Sequence, residues 1–231
     1  MKNESVLITG SSKGLGEELA LVFADNNHDL IIHGRNKEDL ARVKAKVSKK
    51  GVNCHILAGD LQLDKTIEEL YKLAKETDVS VLINNAGTDL NYEDAPDKLK
   101  LQFTKISDKQ IDEIITTNLI APIKLTRRLY SLFLDKGHGT IININSLSGM
   151  EPHWRRTVYG ASKWGLRGFT DTLRKEAKED NIRILGVYPD RIYTKPFFKD
   201  GMEPQEVARN IYDAYKNTHI NEIKLNGRPK K

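Results

Sequence analysis

Short apolar runs rich in β-branched residues alternate along this chain with longer stretches whose apolar positions recur every three or four residues. The runs Ser5–Thr9, Leu30–His33, Val52–Leu57 and Val79–Ile83 read as strands. Between them Leu15–Asn26, Lys37–Lys50 and Lys65–Glu76 read as helices. That alternation predicts a parallel sheet with helices on both faces, a Rossmann-type doubly wound α/β fold in three α/β/α layers. The second half continues it with a helical region from about Asp108 to Asp135, a strand at Thr140–Asn145 and a helix from about Val158 to Glu179. A strand at Ile182–Val187, a helix over about Pro204–Asn217 and a short strand at Glu222–Leu225 finish the pattern. Ser107 followed three positions later by Gln110 has the form of a capping box, marking a helix start, and Pro122 is expected to bend that helix. The segment Thr88 to Ile106, rich in Asp, Asn and Lys, is too long for an ordinary connection; it is either a disordered insertion or part of a substrate site.

A length of 231 residues suits one domain, so residues 1–231 are read as a single catalytic unit. Cys54 is the only cysteine, which excludes an internal disulfide framework and a zinc cluster; a cytoplasmic home is expected and no metal is indicated. The apolar run Val6 to Ile8 begins too early for a signal peptide, and no stretch is long enough to span a bilayer, so no membrane partner is expected. The formal charge of +5 is spread over helical segments such as Lys37 to Lys50, beside Glu38 and Asp39, and reads as solvated surface. Only Arg228-Pro229-Lys230-Lys231 forms a basic cluster, so no nucleic-acid partner is expected. An anionic cofactor or substrate explains a modest positive excess equally well.

Five local features carry chemistry. Thr9-Gly10-Ser11-Ser12-Lys13-Gly14-Leu15-Gly16 follows the first strand and opens the first helix. Gly10 permits the tight turn, Gly14 lets the backbone approach a pyrophosphate, Gly16 allows close packing, and the helix start favours anions. The turn lacks the Gly-Lys-Ser/Thr ending of a phosphoryl-transfer loop. After the second strand, His33-Gly34-Arg35-Asn36 carries no acid to bind ribose hydroxyls. Arg35 with Lys13 then predicts a two-cation clamp on the 2′-phosphate of NADP(H) in preference to NAD(H); the bland alternative is two exposed surface cations. Asn84-Asn85-Ala86-Gly87 ends the fourth strand, and Ser146 ends the Ile141–Asn145 strand, both at the carboxyl edge where doubly wound sheets bind ligands. Tyr159 and Lys163 lie one helical turn apart, and an ammonium beside a phenol is expected to pull its pKa below about 10.

Together these residues resemble the short-chain dehydrogenase/reductase family, in its single-domain branch, over almost the whole chain. Thr9–Gly16 is similar to the family's nucleotide turn, which adds Ser12 and Leu15 to the cofactor site. Asp60-Leu61 is similar to its adenine-contacting pair, Asn84–Gly87 to its sheet-stabilising motif, and Asn118, Ser146, Tyr159 and Lys163 to its catalytic tetrad. The resemblance implies hydride transfer between nicotinamide and a carbonyl or secondary alcohol, with Tyr159 as proton donor and acceptor and Ser146 holding the substrate oxygen. Lys163 would lower the Tyr159 pKa and bind ribose hydroxyls, and Asn118 would hold a water linking Lys163 to solvent. Asn85, Ala86, Gly87, Pro189 and Thr194 would complete the cofactor site. The substrate would be a small carbonyl or alcohol, and pairing of the two long helices predicts a homodimer or homotetramer. Two rivals stand beside this: a regulatory protein that senses NADP(H) without turnover, and, among enzymes, a 3-oxoacyl-thioester reductase.

The chain departs from the family pattern in places. Pro189 is followed by Asp190 where the family has glycine; either the backbone tolerates aspartate or its carboxylate reaches the substrate. The lid segment Lys195–Glu203 is short, so the stretch near Thr88 to Ile106 is expected to cover the site, and deleting about Asn91 to Leu101 to raise the substrate KM. The loop Met150-Glu151-Pro152-His153-Trp154-Arg155-Arg156 borders the substrate and either grips an anionic or sugar-like molecule or is solvated. The segment Glu222–Pro229 lacks the double glycine of many oxoacyl reductases.

Overall fold

Alternate residues of each strand feed opposite cores, which is why the strand runs are apolar almost without interruption. In the computed structural model, which describes residues 3–89, 102–193 and 201–227, the strands are β1 (Ser5–Ile8), β2 (Asp29–Gly34), β3 (Cys54–Ala58), β4 (Val79–Asn84), β5 (Gly139–Ile144), β6 (Ile182–Pro189) and β7 (Glu222–Leu225). They form one parallel sheet in the order β3-β2-β1-β4-β5-β6-β7. The helices are α1 (Gly14–Asp25), α2 (Lys37–Ser48), α3 (Asp64–Glu76), α4 (Asp108–Ile115), α5 (Ala121–Lys136), α6 (Thr157–Glu176) and α7 (Pro204–Lys216).

On one face, Val6, Ile8, Val81, Ile83, Ile142 and Val187 meet Leu19 and Phe23 of α1, Leu40 and Val43 of α2, and Val207 and Ile211 of α7. On the other, Leu7, Ile31, Leu82, Ile141 and Ile184 meet Ile67 and Leu70 of α3 and Leu125, Leu129 and Phe133 of α5. The three-layer, doubly wound fold expected from the alternation is therefore the fold observed. After β1 the chain winds outward to β2 and β3, then returns to lay β4 on the other side of β1. Connections leaving β1 and β4 diverge there, opening a crevice at their carboxyl ends.

Phe133 has no exposed surface, and a side chain on Gly139, at the start of β5, would run into its ring. Phe133→Ala is expected to lose about 3–5 kcal/mol of stability, read as a lower urea midpoint with an unchanged slope. Loss of less than about 1 kcal/mol would mean that the site refills by collapse.

One expected element is corrected. The single helix from about Asp108 to Asp135 is interrupted by a π-helical turn, Thr116–Ile120, in which Ala121 donates its N–H to the Thr116 carbonyl. Pro122 lies just beyond and has no N–H to give the carbonyl four residues back, that of Asn118, so the α ladder cannot run through this point unbroken. The capping box at its start is present as expected, with Ser107 Oγ accepting from Gln110 N–H and Gln110 Oε1 accepting from Ser107 N–H. Among the described residues no helix is long and apolar enough to cross a membrane.

Candidate active site

The nucleotide-like turn is built by mutual bracing of the β1 and β4 ends. Thr9 Oγ1 accepts from the N–H groups of Asn85 (3.0 Å) and Ala86 (3.1 Å). Asn85 Nδ2 donates to the carbonyls of Thr9 (2.9 Å) and Gly10 (3.0 Å). Gly10 has φ +66°, and a Cβ there would stand 2.7 Å from Ala86 Cα. A Cβ on Gly16 would collide with the Gly10 carbonyl, so only glycine lets α1 start this close to the turn. No side chain caps α1 at Lys13, which leaves its first N–H groups available to an anion in the crevice. Glycine-lined bracing and an uncapped helix start fit a dinucleotide pyrophosphate.

Ser12 lies against Gly34 at the end of β2, and its carbonyl accepts from Arg42 Nη2 at 2.9 Å. Arg42 and Lys46 of α2 both contact Glu17 of α1, at 2.8 and 2.7 Å. Burial raises the Glu17 carboxyl, but these two cations outweigh it and hold the group below its ordinary value. Sequence reasoning did not find this brace on the turn; its only trace is two cations at helical spacing on α2. Lys13 and Arg35 are exposed on the rim at the ends of β1 and β2, while Leu15 is buried in the core beneath the turn. Asp60 accepts from Gln62 N–H at 3.0 Å, and Leu61 is buried with Leu7 and Ile31.

Two of the four expected tetrad positions lie beside Gly87, where an added Cβ would stand 3.4 Å from Asn118 Oδ1 and 3.8 Å from Lys163 Nζ. The π turn aims the fully buried Asn118 inward. Its Oδ1 accepts from Thr88 N–H (2.8 Å), and its Nδ2 donates to the Thr88 carbonyl (2.9 Å) and to Ser162 Oγ (3.1 Å). Ser162 Oγ donates in turn to the Tyr159 backbone carbonyl at 2.7 Å. Lys163 Nζ donates to the Ile144 carbonyl at 3.0 Å and lies 5.8 Å from the Tyr159 ring centroid. Ser146 Oγ accepts from Ser148 N–H at 3.1 Å and is hydrogen-bonded to the Tyr159 hydroxyl.

The electrostatics correct the expected effect of Lys163. Burial, followed by the Asp89 charge, raises the Tyr159 phenol above its ordinary value, against the opposing pull of Arg156 and Ser146. Burial also pushes Lys163 down to about 8, with Asp89 opposing. Spacing along a helix predicts the pairing but not the loss of water, which favours the neutral form of both groups.

Asn84 was named in its motif, but its partners and several other supporting residues escaped the sequence reading. Asn84 Nδ2 donates to Thr126 Oγ1 and to Asn143 Oδ1, and Asn143 Nδ2 donates to Thr170 Oγ1, each at 2.9 Å. This buried chain ties β4 and β5 to α5 and α6. Asn145 Nδ2 donates to the Lys163 carbonyl at 3.1 Å. Two amides at alternate positions of the otherwise apolar run Ile141–Asn145 were the available signal. Asp89 also went unnoticed; its carboxylate lies 3.7 Å from Arg156 Nη2, and the Arg156 guanidinium lies 5.3 Å from the Tyr159 ring centroid.

Pro189 ends β6 opposite Leu225, and Asp190 donates its N–H to the Leu225 carbonyl at 2.8 Å. Asp190 is not among the positive-φ residues, so it needs no glycine-like freedom. Ile192 pairs with Met202 in an isolated parallel bridge. Thr194, residues 195–200, residues 90–101 of the expected covering stretch and the basic cluster 228–231 lie outside the described residues. In the loop before α6, Trp154 is 66% exposed with the Arg155 guanidinium 4.2 Å above its ring.

The profile of the short chain dehydrogenase family matches residues 4–201. An uncharacterized oxidoreductase of Staphylococcus aureus is 27% identical over 237 residues, covering 96% of each chain. A ketoacyl reductase of Nostoc sp. is 30% identical over 241 residues, covering 99% of this chain and 80% of its own. A solved short-chain dehydrogenase from Sphingobium yanoikuyae, in complex with NADPH, superposes with a TM-score of 0.85 at 25% identity, covering 96% of this chain and 87% of its own.

Proposed function

Because this chain belongs to the short-chain dehydrogenase family, we propose that it is an NADP(H)-dependent oxidoreductase that interconverts a carbonyl and a secondary alcohol, with Tyr159 as general acid and base. The observation that carries this reading is the grouping of Tyr159 with Ser146 and Lys163, and of Lys163 and Asn118 with Gly87, next to a glycine turn braced for a pyrophosphate. The dinucleotide, when bound, supplies or accepts the hydride.

The protein's own residues do the rest. The start of α1 with Gly10, Ser12, Gly14, Leu15 and Gly16 receives the pyrophosphate side. Lys13 and Arg35 take the 2′-phosphate, Asp60 and Leu61 the adenine end, and Asn85, Ala86, Gly87, Lys163, Pro189 and Thr194 the nicotinamide end. Ser146 holds the substrate oxygen by hydrogen bond. In reduction the Tyr159 hydroxyl gives its proton to that oxygen; in oxidation it receives one. Burial keeps Tyr159 protonated at neutral pH, which suits the reductive direction. Asn118 has a carbonyl that Pro122 cannot engage, an acceptor suited to a water on the route from Lys163 to solvent.

The NADPH complex of the Sphingobium relative supports the cofactor reading, and the Nostoc relative keeps a 3-oxoacyl thioester among the candidate substrates. A homodimer or homotetramer built on the long helices, and a cytoplasmic location, belong to the same reading. The test is oxidation of NADPH screened over ketones, oxoacyl thioesters and keto-sugars, with NADH in parallel. Turnover of at least one class with NADPH preferred is expected. Tight NADPH binding with no turnover on any of them would favour the sensor reading instead.

A further inference from the structure

Asp89 and Arg156 come from distant parts of the chain and meet at the catalytic tyrosine. The Asp89 side chain is only 9% exposed and that of Arg156 23%, and their charged atoms are 3.7 Å apart. A carboxylate taken this far out of water is costly unless it answers a charge, so the pair has a physical reason to be there. Its position is built rather than incidental. Thr88, immediately before Asp89, is gripped at both its N–H and its carbonyl by the Asn118 amide. Arg156 is the cap residue of α6, a position set by the helix that carries Tyr159, and its guanidinium stands 5.3 Å from that ring.

We propose that the Asp89–Arg156 ion pair is a positioning element for Tyr159, in which a carboxylate from the loop after β4 and a guanidinium from the cap of α6 are held together beside the Tyr159 ring. Among the described residues the groups that bear on the Tyr159 hydroxyl are Ser146 from the end of β5, Arg156 from the cap of α6 and Asp89 from the loop after β4. Lys163, one turn along α6, faces the ring with its ammonium on the Ile144 carbonyl. Asp89 raises both Tyr159 and Lys163, whereas Arg156 lowers Tyr159. The two members of the pair therefore act in opposite senses on the phenol. A merely structural ion pair predicts no such opposition, because loss of either partner would loosen the same contact.

The test is an NMR titration of protein carrying tyrosine labelled at the phenolic carbon, with the Tyr159 signal assigned by its disappearance in Tyr159→Phe. Asp89→Asn should lower the Tyr159 titration midpoint by about one pH unit. Arg156→Gln should raise it, and Asp89→Glu should restore the wild-type value. The alkaline limb of kcat/KM for NADPH-dependent reduction should move in the same directions. A midpoint in Asp89→Asn that is unchanged or higher, or one in Arg156→Gln that is lower, overturns the proposal. If Asp89→Asn does not fold, Arg156→Gln alone decides it. The catalytic part rests on Tyr159 being the acid, but the titration does not. Retained turnover in Tyr159→Phe would sink the functional reading and leave the titration result standing; unmoved midpoints beside an inactive Tyr159→Phe would sink only this one.

Discussion

Tyr159→Phe is expected to lower kcat for carbonyl reduction by about a thousandfold, within the range that a positioned acid supplies, and to leave NADPH binding almost unchanged. The contacts around the residue explain the separation. Lys163 Nζ is held by the Ile144 carbonyl, and Ser162 bonds the backbone of residue 159 rather than its phenol. Ser146 keeps its bond from Ser148 N–H. Removing one oxygen therefore deletes the proton donor and its bond with Ser146, and leaves Lys163, the backbone of residue 159 and the Ser148 bond to Ser146 in place. The measurement is single-turnover oxidation of bound NADPH by the best substrate, with NADPH affinity taken from fluorescence titration. Activity above about a tenth of wild type would refute the assigned role, since water would then be doing the work assigned to the phenol.

Much of the frame on which that prediction stands was legible in the sequence. Periodicity placed β1 through α3 within a residue or two of where they lie, because each strand is a short apolar run and each helix buries one stripe. The glycine turn and the Tyr159–Lys163 spacing were equally legible, since each follows from one strand end or one helix, whereas Asn118 entered only through the family resemblance. What failed to show in the sequence was whatever depends on distance across the sheet. The π turn adds only a small phase slip to a helical pattern, so Thr116–Ile120 read as ordinary helix and only Pro122 marked the place. The Tyr159 phenol was expected to be lowered because its sequence neighbour is a lysine. Burial, and an aspartate from the loop after β4, decide it the other way. Most of the Thr126–Asn84–Asn143–Thr170 chain was hidden for the same reason: Asn84 stood in a motif, but its partners are unremarkable alone, and only the register of β4 on β5 makes them one buried network.

Cofactor choice is the other large effect. The double variant Lys13→Ala, Arg35→Ser is expected to weaken NADPH binding by about a hundredfold and to leave NADH nearly untouched. Two charge-assisted contacts to one phosphate group would give more than this in a dry site. Both side chains, however, are exposed on the rim, where water and salt screen them. Arg35 should carry the greater share, because its planar guanidinium can meet two phosphate oxygens together while the Lys13 ammonium acts as a point charge. Arg35→Lys should therefore lose part of the preference despite keeping the charge. The turn itself should survive, since its bracing runs through Thr9, Asn85 and Arg42 and not through either cation. Dissociation constants for both dinucleotides, measured at low and at physiological salt, check the argument: the NADPH advantage of the wild type should shrink as salt rises, and that of the double variant should be too small to shrink. Equal affinity of the wild type for NADH and NADPH would remove the clamp, and with it the reading of Gly34-Arg35 as the mark of a phosphorylated ribose.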